Sequence, residues 1–279
     1  MWENWFKSAI LLAILTALML FIGHLAGGMT GLAIAFVFAI AMNTISYFFG
    51  DKMVLAMYKA KPAPKDHKVT RITREVSRAA GIPMPKVFII PIKTPNAFAC
   101  GRSPSHSSIA FTEGIIGLLD DKELKGVAAH ELAHVKNRDI LISTIAATIA
   151  GVIGFVASTA RYTLMFGRDD DNQNIIGVIV IAIVAPIIAT LIQLAISRSR
   201  EFLADERGAA FLKDSVGLAS ALEKLESGIK RAPLAQSAAA GSTAHLFIAS
   251  PFRASSLMAL FMTHPPMEER IARLRHMKF

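Results

Sequence analysis

The chain has 279 residues, 53% of them hydrophobic and only 18% charged, with 30 Lys and Arg against 21 Asp and Glu. A soluble domain carries about a quarter of its residues as charges, so this composition excludes an ordinary water-soluble globule and points to membrane segments. The excess of basic residues comes without any interleaved aromatic and basic motif, so nucleic acid is not expected as a partner.

Two apolar blocks, 8–25 and 30–49, open the chain on either side of the short stretch AGGM. Neither contains Lys, Arg, Asp or Glu, and each is about long enough to cross a hydrocarbon core at 1.5 Å per residue. Residues 1–49 are therefore read as an N-terminal transmembrane hairpin, with Gly23, Gly27 and Gly31 as turn glycines. Trp2, Trp5, Tyr47, Phe48 and Phe49 suit interfacial anchors, and His24 sits close to the hairpin tip. A cleaved signal peptide is rejected, because the apolar run is too long and a second span follows at once.

Residues 50–139 form the first part of an extramembrane domain. A Pro/Lys-rich linker, KAKPAPKDHK, leads into a helix with Val69, Ile72, Val76 and Ala79 on one face, stopped by Gly81 and Pro83. Short strands follow near 86–90, 96–100 and 107–112. A helix then starts at Asp120, with Glu123 completing a capping box, and runs through HELAH.

Blocks 140–160 and 175–196 repeat the apolar, charge-free pattern and make a second transmembrane hairpin over 140–196. Residues 197–279 complete the extramembrane domain. They comprise a helix through SRSREFLADERGAAFL, a second through SVGLASALEKLESGI, an Ala/Ser-rich mobile loop over 232–256, and a last amphipathic helix burying Met267, Ile271 and Leu274. Of the 30 basic residues, 15 fall in 50–139 and 12 in 197–279, with one before the first block and two in 161–174. The positive-inside rule then puts both termini and the extramembrane domain on the cytoplasmic side. The single cysteine, Cys100, excludes an intramolecular disulfide framework and suits a reducing cytosol.

The chemistry is concentrated around HELAH. On a helix, His130 and His134 are one turn apart and share a face, so two imidazoles can reach one ion. Glu131 projects beside them, where it can take a proton from an attacking water. A catalytic metal needs a third protein ligand. His134 stands about 9 Å before the third apolar block, and the antiparallel partner of that block returns the chain to the same height. The acids found there are Glu201, Asp205 and Glu206. Glu201 and Asp205 are one turn apart, so one could bind metal while the other braces a histidine. Asp139 either orients a ligand histidine or ends the helix. His67, His106, His245 and His276 have no partner in spacing and are read as surface residues.

HELAH followed by EFLAD, the four hydrophobic segments and the upstream PNAFACGR resemble HtpX-type membrane zinc endopeptidases, relatives of the CAAX prenyl endopeptidases within the glutamate-ligand zincins. The resemblance runs over nearly the whole chain in order and spacing. It implies a mainly α membrane protein: four transmembrane helices plus a cytosolic zincin-like α+β protease domain, split as 50–139 and 197–279, with a small β-sheet. One Zn2+ per chain would be held by His130, His134 and Glu201, with Glu131 as general base and Asp205 as the partner of a ligand histidine. PNAFACGR resembles an edge strand that pairs with the substrate backbone, where Asn96 would touch the peptide; its other reading is a turn residue after Pro95. THPPMEER matches a C-terminal element in which His264 would stabilise the oxyanion and Arg270 would bind substrate or pair with an acid such as Asp205. The implied work is quality control and stress response at the inner membrane. Its partners would be misfolded membrane proteins or unfolded proteins and the lipid bilayer, with no small-molecule cofactor.

Other classes are weaker. A zinc-stabilised scaffold or holdase needs no base beside its ligands and closes all four metal positions. A metal transporter would carry acids or bases inside its spans, and these blocks hold no Lys, Arg, Asp or Glu, only His24 near a hairpin tip. A protease for prenylated C-terminal peptides would need an enclosed intramembrane chamber, which four spans seldom build. The His2Glu donor set itself favours zinc.

Overall fold

The protein is described from a computed structural model covering residues 2–149, 198–234, 246–249 and 265–279. Its first element, α1 (Trp2–Met57), is helical except at Gly27 and Gly28, where Gly28 takes a left-handed φ of 56°. The chain reverses there. Asn43 Nδ2 donates to Thr16 Oγ1 at 2.8 Å across 27 residues, a separation that would be about 40 Å along an unbroken helix. A Cβ on Gly23 would collide with Ala35 Cβ and the Gly31 carbonyl. Gly23 is therefore a packing glycine between the two arms, and the turn belongs to Gly27 and Gly28 alone.

The second arm, Gly27–Met57, is long and apolar enough to cross a membrane by length and composition. It continues past position 49, where the sequence reading ended it. The third apolar block begins as a helix, α5 (Asp139–Ile149). The rest of that block and all of the fourth lie outside the described residues; among the described residues the fold is mostly helical with one candidate span.

After α1, β1 (Lys61–Pro62) pairs antiparallel with β2 (Lys86–Ile90), so the expected linker adds a short strand. β2 runs parallel to β4 (His106–Thr112), and β4 pairs antiparallel with β3 (Ala97–Ser103), which lies at one edge of the mixed sheet. Between β1 and β2, α2 (Lys68–Ala80) is capped by left-handed Gly81. It buries Val69, Ile72, Val76 and Ala80, whereas Ala79 is exposed, contrary to the expected face. Thr73 and Ser77 join the buried stripe because each returns its hydroxyl proton to the carbonyl four residues back, at 2.7 Å.

The helices α3 (Glu113–Leu118), α4 (Asp121–Asn137), α6 (Arg198–Leu212), α7 (Val216–Arg231) and α8 (Met267–His276) complete the domain. α4 is central, packing against α2, α6, α7 and β3. One sheet face sends Ala97, Ala99, Ile109 and Phe111 into the core under α4. The other sends Ile90, Phe98, Cys100 and Ala110 against Val54 and Leu55 of α1, Tyr58 just after it and Ala147 of α5. Covered on both sides, the strands read as apolar runs rather than alternating patterns.

Two glycines let α4 lie against its neighbours backbone to backbone. A Cβ on Gly208 of α6 would stand 2.9 Å from Ala129 C and His130 N. One on Gly126 would stand 2.6 Å from Leu218 N of α7.

The Ala/Ser-rich stretch expected to be a mobile loop contains one pinned piece. Leu246, Phe247, Ile248 and Ala249 are all buried. Ile248 N donates to Ala97 O at 3.1 Å, on the outer side of β3. Phe247 stacks edge-on against Tyr58 and Phe98 at 5.3 and 5.5 Å.

Candidate metal centre and active site

α4 places His130 and His134 on one face, and their Nε2 atoms stand 3.2 Å apart. α6 lies close enough, through Gly208, to bring Glu201 between them. Its Oε2 is 3.6 Å from His130 Nε2, and its Oε1 is 3.5 Å from His134 Nε2. Tetrahedral coordination at about 2.0–2.1 Å has ligand-to-ligand edges of roughly 3.3 Å, close to this triangle. His130 and Glu201 are buried, and His134 is partly so.

The ring protons set the direction of the lone pairs. His130 donates from Nδ1 to Asp205 Oδ1 at 2.8 Å, and His134 donates from Nδ1 to Asp139 Oδ2 at 3.1 Å. Carboxylates only accept, so each Nδ1 carries a proton, and whenever the ring is neutral its Nε2 turns a lone pair towards Glu201. Two converging lone pairs and a carboxylate repel unless a cation stands among them. The residues present therefore fit a divalent metal, and the nitrogen and oxygen donors fit zinc.

Arg270 is the buried positive charge beside the acids of this cluster. It is fully buried, and its Nε and Nη2 donate to the two oxygens of Asp205 at 2.8 and 2.7 Å. Its Nη1 donates to Ile248 O at 2.9 Å and lies 3.7 Å from Glu201 Oε2. Burial opposes the charge on Asp205, but the guanidinium outweighs it and holds the carboxyl below the usual range. Burial pulls His130 down, with Arg270 and His134 adding to it against Asp205. His134 goes the other way: burial opposes its charge, yet Asp139 and Glu201 raise it to about 9.

Glu131 is 3% exposed and follows His130 on α4. Burial pushes its carboxyl up to about 8, against the pull of His134 and of the Ala99 backbone N–H. Ala99 belongs to the edge strand β3, so Glu131, the triangle of His130, His134 and Glu201, and that strand adjoin one another.

Asn96 is buried at the start of that edge. Its Nδ2 donates to Ala249 O at 2.7 Å, and its Oδ1 accepts from Ala249 N at 3.4 Å and Ala97 N at 3.1 Å. Farther along, Gly101 N donates to Thr144 Oγ1 of α5 at 2.9 Å. The edge is thus held by the chain's own groups at Ala97, Ala99 and Gly101. His264 lies outside the described residues. Residues 246–249 escaped the sequence reading; their signal was LFIA, four apolar residues in a row within a small-residue stretch.

Residues 63–278 match peptidase family M48. The protease HtpX homolog of Syntrophobacter fumaroxidans is 52% identical over 280 residues, covering 98% of this chain and 99% of that protein. The protease HtpX homolog of Desulforapulum autotrophicum is 51% identical over 280 residues, covering 98% and 90%. Among solved structures, S. mikatae Ste24p is similar with a TM-score of 0.55 at 18% identity, over 99% of this chain and 67% of that one. At that identity the likeness is one of fold.

Proposed function

The chain belongs to peptidase family M48 and is a metallopeptidase; from that premise we propose that it is a zinc-dependent, multi-pass membrane endopeptidase. It hydrolyses exposed segments of misfolded or damaged membrane proteins on the cytoplasmic side. The observation that carries this reading is the triangle of His130, His134 and Glu201 with Glu131 beside it. A zinc ion held by those three residues supplies Lewis acidity towards a peptide carbonyl and towards water.

The chain's own residues do the rest. Glu131 accepts the proton of the attacking water on its carboxylate and passes it to the leaving amine. Asp205 keeps the His130 imidazole turned with Nε2 inward. Arg270 balances the acids without leaving the interior, the ion-pair alternative of the two considered for it. The substrate adds as a strand along β3, which makes recognition depend on backbone rather than sequence. Residues 246–249 hold the Ala97 end of that edge, so the incoming strand exchanges with them. Asn96 then moves its amide hydrogen bonds from Ala249 to the substrate, and His264 keeps the oxyanion-stabilising role that the resemblance implies.

The basic residues of 50–139 and 197–279 support the cytoplasmic placement. The test is hydrolysis of an unfolded protein such as casein by the detergent-purified chain. Cleavage should stop when a chelator has removed the metal and return when zinc is restored. Undiminished cleavage by chain verified to be metal-free would refute the proposal.

A further inference from the structure

α4 ends at Asn137, and Arg138 takes the left-handed conformation, φ 61°. That one residue turns the chain sharply, so Asp139, the first residue of α5, points back at the helix it has just left. It is 4% exposed, and its Oδ2 accepts from His134 Nδ1 at 3.1 Å. Its other oxygen, Oδ1, lies 3.8 Å from Nη1 of Arg200, one residue before Glu201 on α6.

We propose that Asp139 is a positioning residue of the metal centre: it fixes the tautomer and ring orientation of His134 and ties that ligand to the segment carrying Glu201. This rests on the metal-binding reading above. The arrangement repeats on His134 what Asp205 does for His130, with an arginine engaging each brace: Arg270 engages Asp205, and Arg200 engages Asp139. The two braces come from opposite sides. Asp205 shares α6 with Glu201, whereas Asp139 stands at the start of the apolar block 140–160, and Arg200 stands just after the apolar block 175–196. The Asp139 to Arg200 pair therefore bridges the two ends of segment 140–196, and any displacement of those ends is transmitted to one metal ligand.

A carboxylate bonded to a ligand histidine does two things. It holds the ring so that Nε2 faces the ion, and its charge makes that nitrogen a better donor. Asp139→Asn keeps an acceptor of the same shape and removes the charge; Asp139→Ala removes both. The measurement is the zinc dissociation constant of the purified full chain by competition with a chromophoric chelator, for wild type and both variants. Cobalt(II) absorption reports the ligand field, and circular dichroism and melting report the fold.

Zinc affinity should fall by about 10–100-fold in Asp139→Ala and by less in Asp139→Asn, with an altered cobalt spectrum. Both variants should keep wild-type helix content. Equal zinc affinity and an unchanged cobalt spectrum in Asp139→Asn would overturn the inference, whatever happens to the melting temperature. If Asp139→Ala fails to fold, the isosteric Asn variant decides alone. Wild-type chain that binds no zinc would instead refute the metal reading itself, an outcome separate from the other two.

Discussion

Glu123 completes the capping box of α4 by accepting from Asp120 N at 3.0 Å, and it also accepts from Ser220 Oγ at 2.6 Å and Lys224 Nζ at 2.8 Å on α7. Burial pushes its carboxyl upward, but Lys224, Ser220 and the Asp120 N–H outweigh it and hold the group below the usual carboxylate range. Lys224 is 45% exposed, so solvent screens that pair strongly. Glu123→Gln keeps an oxygen that can accept from Asp120 N and loses only the charge, so it should lose about 1 kcal/mol or less near neutral pH. A depressed folded-state pKa gives stability that is present above the unfolded value, near 4.3, and lost as pH falls through the folded one. The gap in melting temperature between wild type and variant should accordingly narrow below about pH 4. A gap that stays constant from pH 7 to pH 3 would show that the charge is not the source. Arg270 obeys the same logic more strictly. With no solvent to screen it, its charge is held by Asp205 on both oxygens and by a backbone carbonyl.

At the scale of elements, the distance between α4 and α6 decides whether Glu201 meets the histidines. Gly208 sets that distance, because its missing Cβ is what lets α6 touch the backbone at Ala129 and His130. Gly208→Ala should push the helices apart, cost about 1–3 kcal/mol and weaken zinc binding measurably. Unchanged zinc affinity in a folded variant would mean that the helices tolerate the methyl group without moving the ligand. The piece at 246–249 bears on substrate access. Phe247→Ala removes its aromatic anchor against Tyr58 and Phe98 and should cost about 3–5 kcal/mol of stability. If the segment gives way to substrate, that variant should cleave unfolded protein faster per molecule of folded, zinc-loaded enzyme. Slower cleavage would make the segment a fixed wall of the site.

What was legible in the sequence at this scale followed from local rules. The capping box at Asp120 and Glu123, the strand at 86–90 and the reversal after the first apolar block all rest on neighbours in the chain. What was missed depends on distant contacts. Ala80 rather than Ala79 faces inward because two hydroxyls satisfy themselves within α2, which lets the buried stripe pass through Thr73 and Ser77. Gly23 packs against the other arm of α1. LFIA is ordered only because β3 leaves it an edge and Arg270 and Asn96 offer hydrogen bonds to its backbone.

For the whole molecule, the arrangement joins two environments. The second arm of α1 continues past its apolar block to deliver Val54, Leu55 and Tyr58 beneath the sheet. Gly50 of that arm lies so close to α5 that a Cβ would stand 2.8 Å from Thr148 Oγ1. α5 in turn carries Thr144 to the edge strand and Asp139 to the metal ligand. The apolar helices thus form one wall of the site, which accounts for an HELAH motif standing at the threshold of an apolar segment. The histidine pair was legible from helical spacing, whereas the hairpin return only narrowed the third ligand to Glu201, Asp205 and Glu206; the choice of Glu201 rested on the resemblance, and the structure groups it with both histidines. The bracing of His134 was legible only as one of two alternatives for Asp139, because what turns that residue back towards the histidine is the left-handed Arg138.

The most direct test of the central claim compares wild type with Glu131→Gln on casein, in detergent, with zinc measured in both proteins. Glu131 touches no ligand position, so the variant should hold as much zinc as wild type while its turnover falls by about 10²–10⁴-fold. Equal zinc and equal cleavage would contradict Glu131 as the base and, with it, this account of how the site works.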